Sequence, residues 1–120
     1  MSAPIDRAVW TNLVEMTGGD LAFVDDLVDT YLADGERQVA ALRDAAARGS
    51  ADDLIRPAHS MKSSSLNVGA LGLGALCRAL EEAARTGKVS DATQQVTAIA
   101  TGFEEVRSAL LAERAERAAG

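Results

Sequence analysis

The chain has 120 residues, of which 48% are hydrophobic, 25% are charged and 3% are aromatic. This balance predicts one folded domain with an aliphatic core and excludes a disordered chain. The formal net charge of −6 argues against a protein that binds nucleic acid through its phosphates, and the lack of an apolar run of about 20 residues argues against a membrane span.

The spacing of apolar residues predicts five helices and no strand. A short helix over residues 6–16 ends at a pair of glycines, and a long one over residues 21–48 follows Asp20, a good N-cap residue. Gly35 interrupts the long helix, either as a tolerated defect that costs ~1 kcal/mol relative to alanine, the interpretation we favour, or because something approaches the backbone closely there. The residues predicted to face inward are Ile5, Val9, Leu13 and Met16, then Leu21, Val24, Val28, Tyr31, Leu32, Gly35, Val39, Leu42 and Ala46.

Three further helices are predicted over residues 51–68, 70–85 and 90–117. Ser50 is the expected cap of the third helix and Ser90 that of the fifth. Pro57 removes one backbone N–H inside the third helix, so we expect a bend or a local irregularity there. The residues predicted to face inward are Leu54, Ala58, Met61, Ser65 and Val68, then Leu73, Leu76, Leu80 and Ala83, then Val96, Ile99, Phe103, Val106 and Leu110.

These elements predict an all-α fold. Because the connections are short, sequential helices should run antiparallel, which gives an antiparallel four-helix bundle with the short first helix capping one end. We expect a single domain over residues 1–120 with its core at about residues 6–110, and a charged C-terminal tail from Glu113 that frays.

The sequence lacks the motifs of several enzyme classes. It has no Glu-x-x-His pair for a di-iron site, no phosphate-binding loop ending in Gly-Lys-Ser/Thr and no Gly-x-Ser-x-Gly elbow. One histidine and one cysteine, Cys77, cannot build a structural zinc site or an internal disulfide. Residues 1–6 lack the features of a signal peptide. We therefore expect a cytoplasmic protein with no metal or cofactor and no membrane partner.

His59, the single histidine, is the residue most suited to chemistry. It follows the inward Ala58, and a step of about 100° places its ring at the edge of the buried face, half exposed. Arg56 and Lys62 lie one turn away, so we expect a neutral, nucleophilic ring whose phosphorylated form these cations neutralise. No Asp or Glu lies within one turn, which favours a phosphate acceptor over a catalytic triad. The alternative is a surface histidine beside a chance lysine.

Residues 58–70, Ala-His-Ser-Met-Lys-Ser-Ser-Ser-Leu-Asn-Val-Gly-Ala, resemble the signature of histidine-containing phosphotransfer (HPt) domains. Residues 76–85 resemble the family's Leu-Cys-x-x-Leu-Glu-x-x-Ala-Arg helix, and residues 18–23 resemble its usual lead-in to the second helix. The likeness covers about residues 6–110. A unique histidine with a lysine three residues later, in the helix that the family predicts, makes the match specific.

The resemblance implies a helical phosphocarrier and not an enzyme. His59 would accept a phosphoryl group on Nε2 and exchange it with the aspartate of a response-regulator receiver domain, which supplies Mg²⁺, so no cofactor is expected on this chain. Lys62 would assist the phosphoryl group. Many family members have glycine where this chain has Ser63. The hydroxymethyl group of Ser63 takes up space on the face that a receiver approaches. Its hydroxyl is able to donate a hydrogen bond to the ring or to the phosphoryl group.

The expected partner is a receiver domain or a hybrid histidine kinase, and the chain itself is expected to be monomeric. Its partner surface should surround His59 and reach the long second helix. Exposed Ile55 and Leu66 suit a transient docking patch, although they could equally cover the edge of the core. The residues predicted for this surface are Ile55, Arg56, Lys62, Ser63, Leu66 and Gly35.

Two other functions remain open from the sequence. The bundle could be an adaptor that docks a receiver or a kinase without accepting phosphate, an interpretation that only Ser63 supports. It could also be the helical dimerisation domain of a kinase or a small enzyme, although 120 residues are too few to include an ATP-binding domain as well. Transfer from a phosphorylated receiver distinguishes the first case, and labelling by ATP alone distinguishes the second.

Overall fold

The computed structural model describes the backbone of residues 4–119 and the side chains of residues 4–116, and its regular structure is helical throughout. No strand occurs among these residues, and none of their helices is long and apolar enough to cross a bilayer. The predicted all-helical chain with five helices is confirmed. The helices are α1 (Arg7–Met16), α2 (Leu21–Ala47), α3 (Ala51–Asn67), α4 (Leu71–Arg85) and α5 (Ala92–Ala119).

Side-chain caps fix the starts of α2 and α3. Asp20 and Ser50 are the N-caps of α2 and α3, as predicted, and each accepts a hydrogen bond from the backbone N–H three residues later. Ser90 does not cap α5. The backbone carbonyl of Asp91 accepts the bond from the N–H of Gln95 at 3.0 Å, so the helix begins one residue later than a Ser90 cap would place it.

Each of the four longer helices packs against two others. α2 contacts α3 and α5, and α4 contacts the same two helices. The short α1 lies at the junction of α3 and α4, where the N–H of Asp6 donates a hydrogen bond to the carbonyl of Gly69 at 2.6 Å. Gly69 has a φ of +88°, and a Cβ there would approach the backbone oxygen of Asp6 to 2.9 Å, so this close contact requires glycine.

The core contains most of the predicted apolar residues. Every residue predicted to face inward in α3 and α5 is buried. Three predictions are wrong, because Met16, Leu21 and Leu76 are exposed by 76%, 44% and 40%. In α4 both Cys77 and Leu80 are fully buried and Leu76 is not, because Leu76 and Cys77 are adjacent apolar positions about 100° apart and only one of them faces the core. Burial raises the pKa of the Cys77 thiol to about 12, which favours the expected structural role.

Helical structure continues through both segments in which an irregularity was expected. α3 is helical on both sides of Pro57, which is buried, and a bend at this residue stays a prediction. The C-terminal segment is helical to Ala119 and is attached to the rest of the fold. Arg114 donates one hydrogen bond to the carbonyl of Asp25 and one to the carboxylate of Asp29, both at 2.9 Å, and Glu113 pairs with Arg7. These bonds join α5 to α2 and α1 at Glu113 and Arg114, and fraying of the chain beyond them stays a prediction.

Gly35 is a position of close helix approach. A Cβ at this residue would overlap the ring of Phe103 on α5, which is itself buried, and Gly35 is buried as well. The prediction that Gly35 contributes to a partner surface is therefore wrong. Of the two interpretations left open by the sequence, close approach of another element is the one that the structure supports.

Replacing Gly35 with alanine should destabilise the fold by up to about 2 kcal/mol, because the overlap with Phe103 costs ~1–3 kcal/mol and alanine regains only ~1 kcal/mol as a helix former. The Phe103 ring cannot move freely, since Tyr31 packs against it and the guanidinium of Arg107 lies 5.3 Å from its centroid. The measurement is urea unfolding. Gly72→Ala on α4 is the matched control, because a Cβ there meets no atom within 4 Å and should be neutral or stabilising.

Candidate functional site

His59 lies on the outer surface of α3. Its side chain is 54% exposed, which confirms the predicted half-exposed position, while its neighbours Ala58 and Met61 are completely buried. The alternation of buried and exposed residues along α3 therefore holds the helix in one orientation. As a result, the backbone presents the imidazole to solvent at the boundary between α3 and α4.

A carboxylate from α4 orients the imidazole. The Nδ1 atom of His59 lies 2.9 Å from Oε2 of Glu81, whose side chain is only 6% exposed. Because an ionised carboxylate can only accept hydrogen bonds, Nδ1 must carry the ring hydrogen in this contact. The lone pair of the neutral ring is then on Nε2, which makes no hydrogen bond to any of the side chains described. The arrangement presents one defined nucleophilic nitrogen at the surface.

Two cations hold Glu81 in the ionised state. Lys62 donates from Nζ to Oε1 at 2.8 Å, and Arg85 donates to Oε2 from Nε at 3.2 Å and from Nη2 at 2.8 Å. The bonds from Lys62, then Arg85, lower the pKa of Glu81 to about 2, with a smaller contribution from His59, although burial opposes the shift. Glu81 therefore remains an anion throughout the physiological pH range, and it accepts the ring hydrogen without removing it.

The packing of α4 on α3 places this carboxylate. The buried face of α4 includes Gly74, Cys77, Glu81 and Ala84, at the steps of three and four expected for one side of a helix. A Cβ at Gly74 would lie 2.6 Å from Cδ2 of Leu66, so glycine allows the two helices to approach closely two turns before Glu81. The small residues on either side of Glu81 keep the helices close enough for its carboxylate to reach His59 and Lys62.

Glu81 is the functional residue that sequence reasoning missed. The expectation that no carboxylate lies within one turn of His59 holds along α3, but the carboxylate comes from a different helix. A signal was present, because Glu81 belongs to the Leu-Cys-x-x-Leu-Glu segment and shares a helix face with the inward-packing Cys77. Arg85, at the end of the same segment, was missed for the same reason.

The other predicted residues occupy different positions around His59. Ile55 is half-buried and packs against the core. This agrees with the interpretation that Ile55 covers the edge of the core. Leu66 is exposed by 41%, and Arg56 and Ser63 are exposed on the same helix. Lys62 is near His59 as predicted, but its ammonium group bonds to Glu81 and not to the ring. Within residues 4–116, no cluster of three or more potential ligands is arranged to hold a metal ion.

Comparisons with known proteins find one family and one similar solved structure. The family model for the Hpt domain matches residues 26–109, a range that includes His59, Lys62 and Glu81. The crystal structure of histidine-containing phosphotransfer protein B (HptB) from Pseudomonas aeruginosa PAO1 is similar to this chain, with a TM-score of 0.88 and 31% sequence identity. The alignment covers 97% of this chain and 98% of that chain. No curated protein sequence gives a significant match.

Proposed function

This chain belongs to the Hpt domain family, whose members are phosphocarriers in phosphorelays, and from that premise we propose that His59 is the residue that carries the phosphoryl group. One observation carries the proposal: a half-exposed imidazole whose Nδ1 is held by the buried Glu81 and whose Nε2 is left open. A histidine with only a structural role, or with no role, would not require a buried, ionised carboxylate bonded to Nδ1.

The proposed reaction is in-line transfer between His59 and the aspartyl phosphate of a receiver domain. The lone pair of Nε2 forms an N–P bond while the P–O bond of the aspartyl phosphate breaks, and the aspartate leaves as a carboxylate. The Nδ1 hydrogen stays in its bond to Glu81, so the phosphorylated ring is cationic and faces an anion. Transfer in the other direction reverses these changes. The chain supplies orientation and charge, which dominate this chemistry.

We assign to Lys62 the role of stabilising the phosphorylated state. Its ammonium group lies on the Glu81 side of the ring and uses one of its three N–H donors for Oε1 of that carboxylate. Glu81 carries one negative charge, whereas Lys62 and Arg85 carry two positive charges. The surplus of one positive charge favours a phosphoryl dianion over the empty site.

Lys62→Ala should slow phosphoryl acceptance by about tenfold and shorten the lifetime of the phosphohistidine, because a charge-assisted interaction near the surface is worth ~1–1.5 kcal/mol. The helical fold should remain, since the side chain is partly exposed. Acceptance rates and release of inorganic phosphate measure the effect. Lys88→Ala, in the turn between α4 and α5, is the control and should behave as the native chain. Unchanged kinetics in Lys62→Ala would remove Lys62 from the mechanism.

Ser63 adjusts the same face. It is exposed one turn after His59, where many family members have glycine, so its hydroxymethyl group lies where a receiver would approach. The hydroxyl is able to donate a hydrogen bond to the ring or to the phosphoryl group. We therefore include Ser63 in the site as a residue that tunes transfer and does not block it.

The proposal extends to partners and location. We expect the chain to act as a monomer in the cytoplasm and to exchange phosphate with a receiver domain, on its own or within a hybrid histidine kinase. The receiver, not this chain, would provide Mg²⁺. The docking surface would consist of Arg56, Ser63 and Leu66 around His59, with Ile55 at its inner edge; the exposure of the first three supports this assignment.

The proposal also includes the finer architecture, an antiparallel four-helix bundle with α1 capping one end. Connections of three residues, 48–50 and 68–70, support antiparallel neighbours, since so short a segment returns the chain beside the preceding helix. The contacts of α2 and α4 with both α3 and α5 support a bundle of four. The bond from Asp6 to Gly69 supports the position of α1 at one end.

The test is transfer from a radiolabelled receiver domain to the purified native chain, using a panel of receivers from the same organism. We expect label that is labile in acid and stable in alkali, as a phosphoramidate bond is, and mass spectrometry should locate it on His59. ATP alone should give no labelling. If the chain binds a receiver but never acquires acid-labile label, the adaptor function replaces the carrier function, and labelling by ATP alone would indicate a kinase.

A further inference from the structure

We propose that Arg56 is the side chain that directly contacts the phosphoryl group on His59, while Lys62 and Arg85 stay on Glu81. This inference rests on the proposed function and assigns a different role to each cation of the site. Lys62 and Arg85 act from behind the ring by keeping Glu81 ionised and in place. Arg56 acts in front of the ring on the transferred group itself.

The first observation is that the cations on the α4 side of the ring are already engaged. Lys62 donates to Oε1 of Glu81, and Arg85 donates twice to Oε2. Lys62 has two further N–H donors, so it can stay on the carboxylate while its charge acts on the phosphoryl group. Leaving Glu81 altogether would exchange a bond to a buried carboxylate for a bond at the surface, which favours the present arrangement.

The second observation is that Arg56 is unengaged. Of the Lys and Arg side chains among residues 4–116, only Arg43, Arg56 and Lys88 form no ion pair or side-chain hydrogen bond. Arg43 lies on α2 and Lys88 lies in the turn after α4, whereas Arg56 is exposed on α3 itself. Arg56 can therefore bind an incoming anion without losing an ion pair or a side-chain hydrogen bond.

The third observation is the direction in which the phosphoryl group must point. The bonds made by Nδ1 and Nε2 diverge across the imidazole ring, so a group on Nε2 points away from Glu81. Arg56 and Lys62 are three residues before and after His59, and at about 100° per residue they flank the ring at ~60° on opposite sides. Since Lys62 lies on the Glu81 side, Arg56 lies on the other flank of the ring, away from Glu81.

Arginine at this position suits the ligand. The planar guanidinium presents parallel N–H donors that match two oxygens of a phosphoryl group, and residues three apart on a helix have Cβ atoms about 5–6 Å apart. A side chain of this length reaches across that gap without a change in the backbone. The contact would stabilise both the phosphorylated state and the charge that develops during transfer.

The experiment uses phosphoramidate, a small phosphoryl donor, so that contact with the phosphoryl group is separated from docking of a receiver. Nε2 of His59 forms the N–P bond, the P–N bond of phosphoramidate breaks, and its nitrogen leaves as ammonia. Arg56→Gln should slow this reaction by about tenfold and shorten the half-life of the isolated phosphoprotein by a similar factor. Arg43→Gln changes another exposed arginine, on α2, that forms no ion pair with the side chains described, and this variant should react as the native chain does.

Three results would overturn the proposal. If Arg56→Gln matches Arg43→Gln with phosphoramidate and in half-life, Arg56 does not contact the phosphoryl group. If Arg56→Gln slows only transfer from a receiver, the residue belongs to the docking surface alone. If the native chain accepts no phosphate on His59 from either donor, the proposed function fails and this inference fails with it, an outcome that the native control distinguishes from the first two.

Discussion

His59→Gln is expected to abolish acid-labile phosphorylation and to leave the helical fold intact. Glutamine has a polar side chain of similar reach, so its amide can still donate to Glu81 where Nδ1 did. An amide nitrogen is not a nucleophile at neutral pH, because its lone pair is delocalised into the carbonyl group. The variant therefore removes the reacting atom and retains the bond to Glu81, and the loss should exceed the ~100-fold typical of a lost assisting group.

Stability should change little in this variant. The His59 side chain is 54% exposed, and substitutions at exposed positions usually alter the free energy of unfolding by no more than about 0.5 kcal/mol. Circular dichroism and urea unfolding would verify this, and transfer from a radiolabelled receiver would measure the activity. Retention of acid-labile label by a folded His59→Gln chain would mean that another group accepts the phosphate.

Because serines lie close to His59, the acid stability of the label must be measured to identify the residue that carries it. Ser60, Ser63 and Ser64 all lie within about a turn and a half of the histidine. Phosphate on a serine is an ester, which is stable in acid, whereas the N–P bond of phosphohistidine is not. Label that survives acid treatment in both the native chain and His59→Gln would therefore come from these hydroxyls, and it would not count as transfer to the imidazole.

The helices were predictable because their signals are local. Capping by Asp20 and Ser50 depends on bonds within three residues, and the residues expected to face inward in α3 and α5, at steps of three and four, are all buried. In α4 the adjacent apolar residues Leu76 and Cys77 could each have faced inward, and only the packing of the helices selects Cys77. Likewise, Gly35 could be judged only when Phe103 on α5 was placed beside it.

Only those residues of the site that lie on α3 could be predicted from the sequence. His59 and Lys62 are three residues apart, so helix geometry brings them together without knowledge of the fold. Glu81 is 22 residues from His59, and its contact depends on how closely α4 packs on α3. The same limit reversed the expected role of the lysine. In sequence it neighbours the imidazole, but in space its ammonium group is bound to a carboxylate that the local sequence does not contain.

The low pKa of Glu81 decides what the carboxylate can do. A carboxylate that took the Nδ1 hydrogen would leave a neutral phosphorylated ring, which is a poorer phosphoryl donor than a cationic one. With a pKa of about 2, caused first by the bond from Lys62 and then by Arg85, Glu81 does not take the hydrogen near neutral pH. Its contribution is therefore to orient the ring and to stabilise the cation, and the phosphoryl group stays transferable in both directions.

Glu81→Gln should slow phosphoryl acceptance by about 10–100-fold, because the ring loses the anion that fixes its tautomer and stabilises its cationic product. Loss of Nδ1 orientation should also be visible without any reaction. The ¹⁵N chemical shifts of the imidazole report which nitrogen carries the hydrogen, and we expect a mixture of tautomers in the variant in place of the Nδ1–H form. Glu82→Gln is the matched control, since Glu82 is exposed and pairs only with Arg78.

The same variant should be less stable than the native chain by about 2 kcal/mol at neutral pH. This is below the ~3–5 kcal/mol of a fully buried ion pair, because Lys62 and Arg85 are partly solvated. The folded pKa of Glu81 lies below its ordinary value of 4.5, so its contribution is complete above about pH 4.5 and is lost as the pH falls through about 2. Urea unfolding of the two proteins should therefore converge as the pH is lowered towards 2. A difference in stability that stays constant across that range would mean that the charge of Glu81 does not stabilise the fold.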